Sequence, residues 1–275
     1  MIKDIVVHLT GSEEDGFRIG YAGAIAQAFD AHLTGLQVNL LPELIALTDP
    51  AASAYLQTLL AEAGARAQKV ADTADQRLGA LGVPHAVRRV DVYPNSVGNT
   101  LASEARTADL FVGTRPYGDP TGQERVEEAV LFRSGRGCLF VPPGGTPPAS
   151  YDTILVAWKN TREAARALAE AMPFLRRASQ VVVGIVEEEG ASEQYGTDPG
   201  ADIGRYLSRH GVPVEIKPIA GWVYAGEALL NEAQHTGAQM IVMGGYGHSR
   251  FREWVLGGVT RHVLTHASVP VLTAH

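Results

Sequence analysis

The chain has 275 residues, 45% of them hydrophobic and 19% charged, which is enough apolar mass for one or two packed domains and too little charge for a disordered chain. A net charge of -7 argues against non-specific nucleic-acid binding and against an anionic membrane surface, since both rely on an excess of Lys and Arg. The one cysteine, Cys138, excludes an internal disulfide framework and a Cys-rich metal site, and a reducing cytosol is the simplest compartment.

Met1-Ile2-Lys3-Asp4-Ile5-Val6-Val7-His8-Leu9 reads as a first strand. It does not read as a signal peptide: Asp4 interrupts it, the apolar stretch is short and no small-residue cleavage site follows. No run approaches the ~18 apolar residues that span a bilayer, so the expectation is a soluble, cytoplasmic protein. Further strands are expected near 32–38, 85–91, 108–113 and 138–141, with helical patterns between them. Between the second and third strands lies an extra segment, Leu40 to Leu60, with Leu41, Leu44, Ile45 and Leu47. Covering its own core is the preferred reading, and a lid or partner surface is the alternative. Cys138 sits in an apolar run and is expected to be buried and inert. Pro142-Pro143-Gly144-Gly145-Thr146-Pro147-Pro148 has the composition of a linker.

Beyond the linker the pattern repeats. Ile154-Leu155-Val156-Ala157-Trp158 answers Ile5-Val6-Val7-His8-Leu9, and Ala238-Gln239-Met240-Ile241-Val242 answers Ala108-Asp109-Leu110-Phe111-Val112. Strands are expected near 153–158, 181–186, 212–218, 239–243 and 269–273, and Ala164, Ala165, Leu168, Ala169 and Met172 recur at helical spacing. Buried strands alternating with amphipathic helices imply a parallel sheet covered on both faces. The expected organisation is two tandem α/β domains, 1–145 and 149–275, with ligands beyond the carboxyl ends of the strands.

The fourth strand of the second half runs into Met243-Gly244-Gly245-Tyr246-Gly247, and Gly257-Gly258-Val259-Thr260 leads into a helical pattern. Glycines between a strand and a helix start let backbone N–H groups approach an anion at the positive end of a helix. Gly244, Gly247 and Gly257 stand at Gly-x2-Gly-x9-Gly, which is neither the Walker loop nor the dinucleotide fingerprint. Phosphate contact is preferred over a purely structural set of tight turns. Ser249 and Arg250 lie between the second and third glycines, where solvent exposure is the preferred reading and phosphate contact the alternative. Thr260 is expected in the first helical turn, its hydroxyl capping or touching phosphate. At the first strand end Trp158 either fills core or stacks on a base, with core preferred. Glu187, Glu188 and Glu189 read as a solvated charge run, with Mg2+ binding as the alternative. His262 and His266 share a helix face without a third ligand and read as surface residues rather than a metal site. No nucleophile elbow, His-Glu-x2-His motif or Walker lysine is present, so no catalytic residue is assigned. In the first half Thr114 and Tyr117 stand where the second has Gly244 and Gly247, and no comparable phosphate cradle is expected there.

These residues resemble the universal stress protein family, as two tandem copies covering nearly the whole chain. ATP-binding members carry the same Gly-x2-Gly-x9-Gly spacing, matched here by Gly244, Gly247 and Gly257 and by the ending Val259-Thr260. The resemblance implies flavodoxin-like or Rossmann-like domains, each with a five-stranded parallel sheet, the two copies pairing about a pseudo-twofold axis. It implies a stress-responsive, non-enzymatic regulatory protein that binds ATP, with Mg2+, in the second half. Ala157, Trp158 and Val186 would line the base, and Met243, Gly244, Gly247, Gly257, Gly258, Val259 and Thr260 would face the phosphates, with Lys159 and Ser249 nearby. Two positions depart from the pattern: Lys159 stands where ATP-binding members place Asp, and Gly258 where they place Ser or Thr. These favour the alternative, a protein-interaction module of the same fold that binds no nucleotide. Pairing of the two copies would satisfy a monomer, and segment 40–60 offers a surface for a homodimer or another protein partner.

Overall fold

The computed structural model describes residues 1–42, 50–116, 126–187, 200–246 and 258–275. In chain order the first half comprises β1 (Asp4–Leu9), α1 (Asp15–Phe29), β2 (His32–Leu40), α2 (Pro50–Gly79), β3 (His85–Val92), α3 (Val97–Ala105), β4 (Leu110–Thr114), α4 (Val126–Arg133) and β5 (Gly137–Val141). The second comprises β6 (Thr153–Ala157), α5 (Arg162–Leu175), β7 (Gln180–Val186), α6 (Ala201–Arg209), β8 (Val214–Ile219), α7 (Ala225–Thr236), β9 (Met240–Gly244), α8 (Gly258–His266) and β10 (Val271–Ala274).

The ten strands form one sheet in the order β3-β2-β1-β4-β5-β10-β9-β6-β7-β8. Every pairing is parallel except the central one, where β5 and β10 run antiparallel with Leu139 opposite Leu272 and Cys138 opposite Thr273. The order within each half is the same, and the antiparallel join relates the halves as a pseudo-dimer would. Because β5 and β10 pair with each other, neither presents an open edge at the centre of the sheet.

Strand alternation divides the core between the two faces. Val7, Leu9, Ile154, Val156, Val242 and Leu272 pack under α1, α2, α5 and α6. Val6, Phe111, Leu155, Ile241, Met243 and Val271 pack under α3, α4, α7 and α8. Both layers run across the join. Phe29 of α1 meets Phe174 of α5 edge-on at 5.1 Å, and the Arg177 guanidinium lies 4.5 Å over the Phe29 ring.

All ten expected strands are present, most within two residues of the expected bounds. The extra segment resolves in part: residues 54–60 belong to the 30-residue helix α2, whereas Leu44, Ile45 and Leu47 lie outside the described residues. Ala63, Ala67, Ala71, Ala74 and Leu78 form its buried stripe at helical spacing. Among the described residues the last helix of the first half has eight residues, α4, against nine in α8. Leu131, Phe132 and Arg133 close α4. Among the described residues no helix is long and apolar enough to cross a membrane.

Candidate functional site

In the second half the carboxyl ends of β6 and β9 lie side by side, with Ala157 opposite Met243. Ala157, Val186 and Met243 all turn to the face covered by α7 and α8. Trp158 does not join them. Its backbone N–H donates to the Gly184 carbonyl at 2.9 Å, and its side chain packs against the core of the opposite face. Trp158 thus turns to the face opposite Ala157, as the period-2 alternation of an extended chain directs.

Gly244 ends β9 against the start of α5. A Cβ there would stand 2.5 Å from the Ala164 amide nitrogen and 2.7 Å from the Glu163 carbonyl carbon, so only glycine allows this close approach of strand and helix. The first turn of α5 is capped by Thr161, whose hydroxyl accepts the Ala164 N–H at 3.3 Å. Glu163 is buried in that turn, paired with Arg162 at 3.1 Å, where a carboxylate complements the helix dipole. Lys159 is half-buried at the β6 end, two residues before the cap.

The turn after β9 is held from several sides. Gly245 donates its N–H to the Ala274 carbonyl at 2.9 Å, and its own carbonyl lies 3.0 Å from the His275 ring nitrogen Nδ1. Tyr246 takes a left-handed conformation, φ 57°, uncommon for a residue with a side chain. Its N–H donates to the Thr260 hydroxyl at 3.4 Å, and its ring lies 5.0 Å from that of Phe132, which also meets His275 at 4.7 Å. Burial pushes the Tyr246 phenol up from its ordinary pKa, with Arg261 opposing, so it stays neutral near pH 7. Thr260 thus anchors the turn to α8, and Phe132 brings a first-half side chain against a second-half loop.

Gly258 and Val259, in the first turn of α8, face outward. Both are exposed, and a Cβ on Gly258 would meet no atom of the described residues within 4 Å. The turn lies at the positive end of a helix, where the first N–H groups have no intrahelical partner. Gly247, Ser249 and Gly257 lie outside the described residues, as do Glu188 and Glu189. His262 and His266 stack at 4.3 Å, and among the described residues no group of three or more His, Cys, Asp or Glu side chains could hold a metal ion.

The corresponding strand end in the first half carries buried polar side chains. His8, where the repeat has Ala157, pairs through Nδ1 with the Glu127 carboxylate at 3.1 Å, and both are buried. Glu127 sits in the first turn of α4, and its Cγ would be 3.2 Å from a Cβ on Gly113. On the other face, buried Arg18 pairs with Asp15 at 2.9 Å and with Glu14 at 2.9 Å, and donates to the Thr114 hydroxyl at 2.5 Å. Asp15 also accepts the backbone N–H groups of Thr10 and Gly11. Sequence reasoning missed both clusters, although aligning the halves would have exposed them: His8 falls on Ala157, Asp15 on Ala164 and Arg18 on Ala167.

Residues 150–275 match the model of the universal stress protein family. A stretch of 69 residues is 35% identical to a universal stress protein from Synechocystis, covering 25% of this chain and 23% of that protein's length. A universal stress protein from Archaeoglobus fulgidus DSM 4304 superposes with a TM-score of 0.74 at 19% identity, covering 98% of this chain and 95% of that one. A functionally unknown protein from Pseudomonas aeruginosa PAO1 gives a TM-score of 0.63 at 16% identity, covering 98% and 92%. Residues 150–275 thus carry a similarity to the universal stress protein family, and the whole chain shares its fold with a universal stress protein of similar length.

Proposed function

We propose that the chain is a cytoplasmic, stress-responsive regulatory protein that binds ATP or a related nucleotide at the carboxyl edge of β6 and β9. The carrying observation is the outward-facing first turn of α8, where Gly258 is exposed and meets no described atom, beside a turn pinned by Thr260 and Tyr246. In this reading the N–H groups around Gly247, Gly257 and Gly258 receive the phosphates, with Mg2+ as counter-ion, and Ala157, Val186 and Met243 form the apolar wall beside the base. Gly244 contributes by letting α5 close on β9. The protein acts by binding and not by turnover, nucleotide shifting a conformational or partner equilibrium. In calorimetric titration with ATP and Mg2+, replacing Gly247 by Trp should abolish the binding heat, and unchanged affinity would count against this placement.

A second reading, a protein-interaction module that binds no nucleotide, is favoured by Lys159 at the β6 end and by the exposed Trp222-Val223-Tyr224 loop. Val223 is 87% exposed and Tyr224 66%, at the carboxyl edge of β8. Absence of any binding heat at millimolar ATP would make this reading the leading one.

A further inference from the structure

The first half contains a cavity of about 270 Å³ at the carboxyl edge of β1 and β2, roofed by α2. It exists because α2 presents alanines to the sheet edge. Ala63 and Ala67, one turn apart and buried, leave space that larger side chains would fill. Below them the turn after β1 passes close to Val70 through Gly11 in a left-handed conformation, φ 79°.

The wall of this cavity carries a polar group with nothing to bond. Gln37 on β2 is only 4% exposed, and its Oε1 has no hydrogen-bond partner among the described residues. A buried amide oxygen left unpaired is costly, so such a group in a native fold calls for an explanation. At the mouth stands Arg66 on α2, its side chain 70% exposed and 3.7 Å from Glu62. His8 also lines the cavity, its Nδ1 paired with the Glu127 carboxylate.

We propose that this cavity is a second ligand site, for a small organic acid that carries an N–H group. The ligand N–H donates to Gln37 Oε1, and its carboxylate faces outward to Arg66, away from Glu127. Val38 and Val97 supply apolar contact. The volume falls below the ~300–1,000 Å³ of sites for drug-sized ligands, so the occupant is a compact metabolite and not a nucleoside triphosphate. The site does not depend on nucleotide binding in the second half.

The test uses the full chain and a defined probe set: orotate, pyroglutamate and the N-acetyl-L-amino acids, each carrying an N–H and a carboxylate. Saturation-transfer NMR finds binders and calorimetry gives their affinities. Binding of at least one probe is expected, weakened tenfold or more by Arg66→Ala and lost in Ala67→Leu, which fills the cavity. ATP titration of the same preparations should be unchanged. Gln37→Leu, which keeps shape and removes the acceptor, should also lose the probe, and circular dichroism checks that each variant folds. No binding of any probe at millimolar concentration would overturn the proposal, as would equal affinity in wild type, Arg66→Ala and Gln37→Leu.

Discussion

A Cβ on Gly244 would collide with the backbone of α5, whereas one on Gly258 would meet no described atom, and the two glycines therefore answer different questions. Gly244→Ala should destabilise the fold by ~1–3 kcal/mol, the usual cost of overpacking, and urea denaturation measures it. Loss of nucleotide binding in that variant would say nothing about phosphate contact. Gly258→Ser should leave stability within ~0.5 kcal/mol of wild type. If phosphate sits at the α8 turn, the added hydroxyl should tighten ATP by ~0.5–1.5 kcal/mol, the net worth of one hydrogen bond. Cys138 is fully buried and its thiol is pushed well above the ordinary range by desolvation, which outweighs a hydrogen bond from Ser134. Alkylation by iodoacetamide at pH 8 should be negligible in the native chain and complete in denaturant.

The elements at the two strand edges differ through what their helices place in the first turn. Glu127 of α4 is buried against His8, whereas the Gly258-Val259 turn of α8 is exposed. His8→Leu should strand a buried carboxylate and cost ~3–5 kcal/mol by denaturant unfolding, and Glu127→Gln in the same chain should restore part of it. Strand positions were legible in the sequence because Ile, Val and Leu runs of four to six residues alternate with helical spacing, as in Ile154-Leu155-Val156 and Met240-Ile241-Val242. The side chains at the strand ends were harder to read. The resemblance sets Trp158 beside Ala157 at the base, yet successive strand residues face opposite ways. The partner of His8 comes from α4 and the α2 residues beside Gln37 come from more than twenty residues away in sequence, and such tertiary contacts leave no local periodicity. Gly244 was legible as special, but a bound anion and a packed helix demand the same absence of a Cβ.

At the scale of the molecule, one sheet of ten strands joins two halves through β5 and β10, and the join carries side chains both ways. Phe132 of α4 lies against Tyr246, while Arg166 of α5 donates to the Gly135 carbonyl at 2.6 Å. Residues 149–275 expressed alone would expose the β10 edge and the surface that Phe132 covers. Light scattering should show that piece as a dimer pairing through β10, and a stable monomer would contradict the role assigned to the join. The asymmetry between the halves, an open helix turn in one and buried ion pairs in the other, gives the central claim: the second half alone holds nucleotide. Calorimetric titration of the full chain with ATP and Mg2+, beside Gly258→Leu, tests it most directly. One nucleotide per chain in wild type, lost in a variant that keeps its stability, is the expected result; no binding heat at millimolar ATP, two sites per chain, or a Gly258→Leu titration identical to wild type would contradict it.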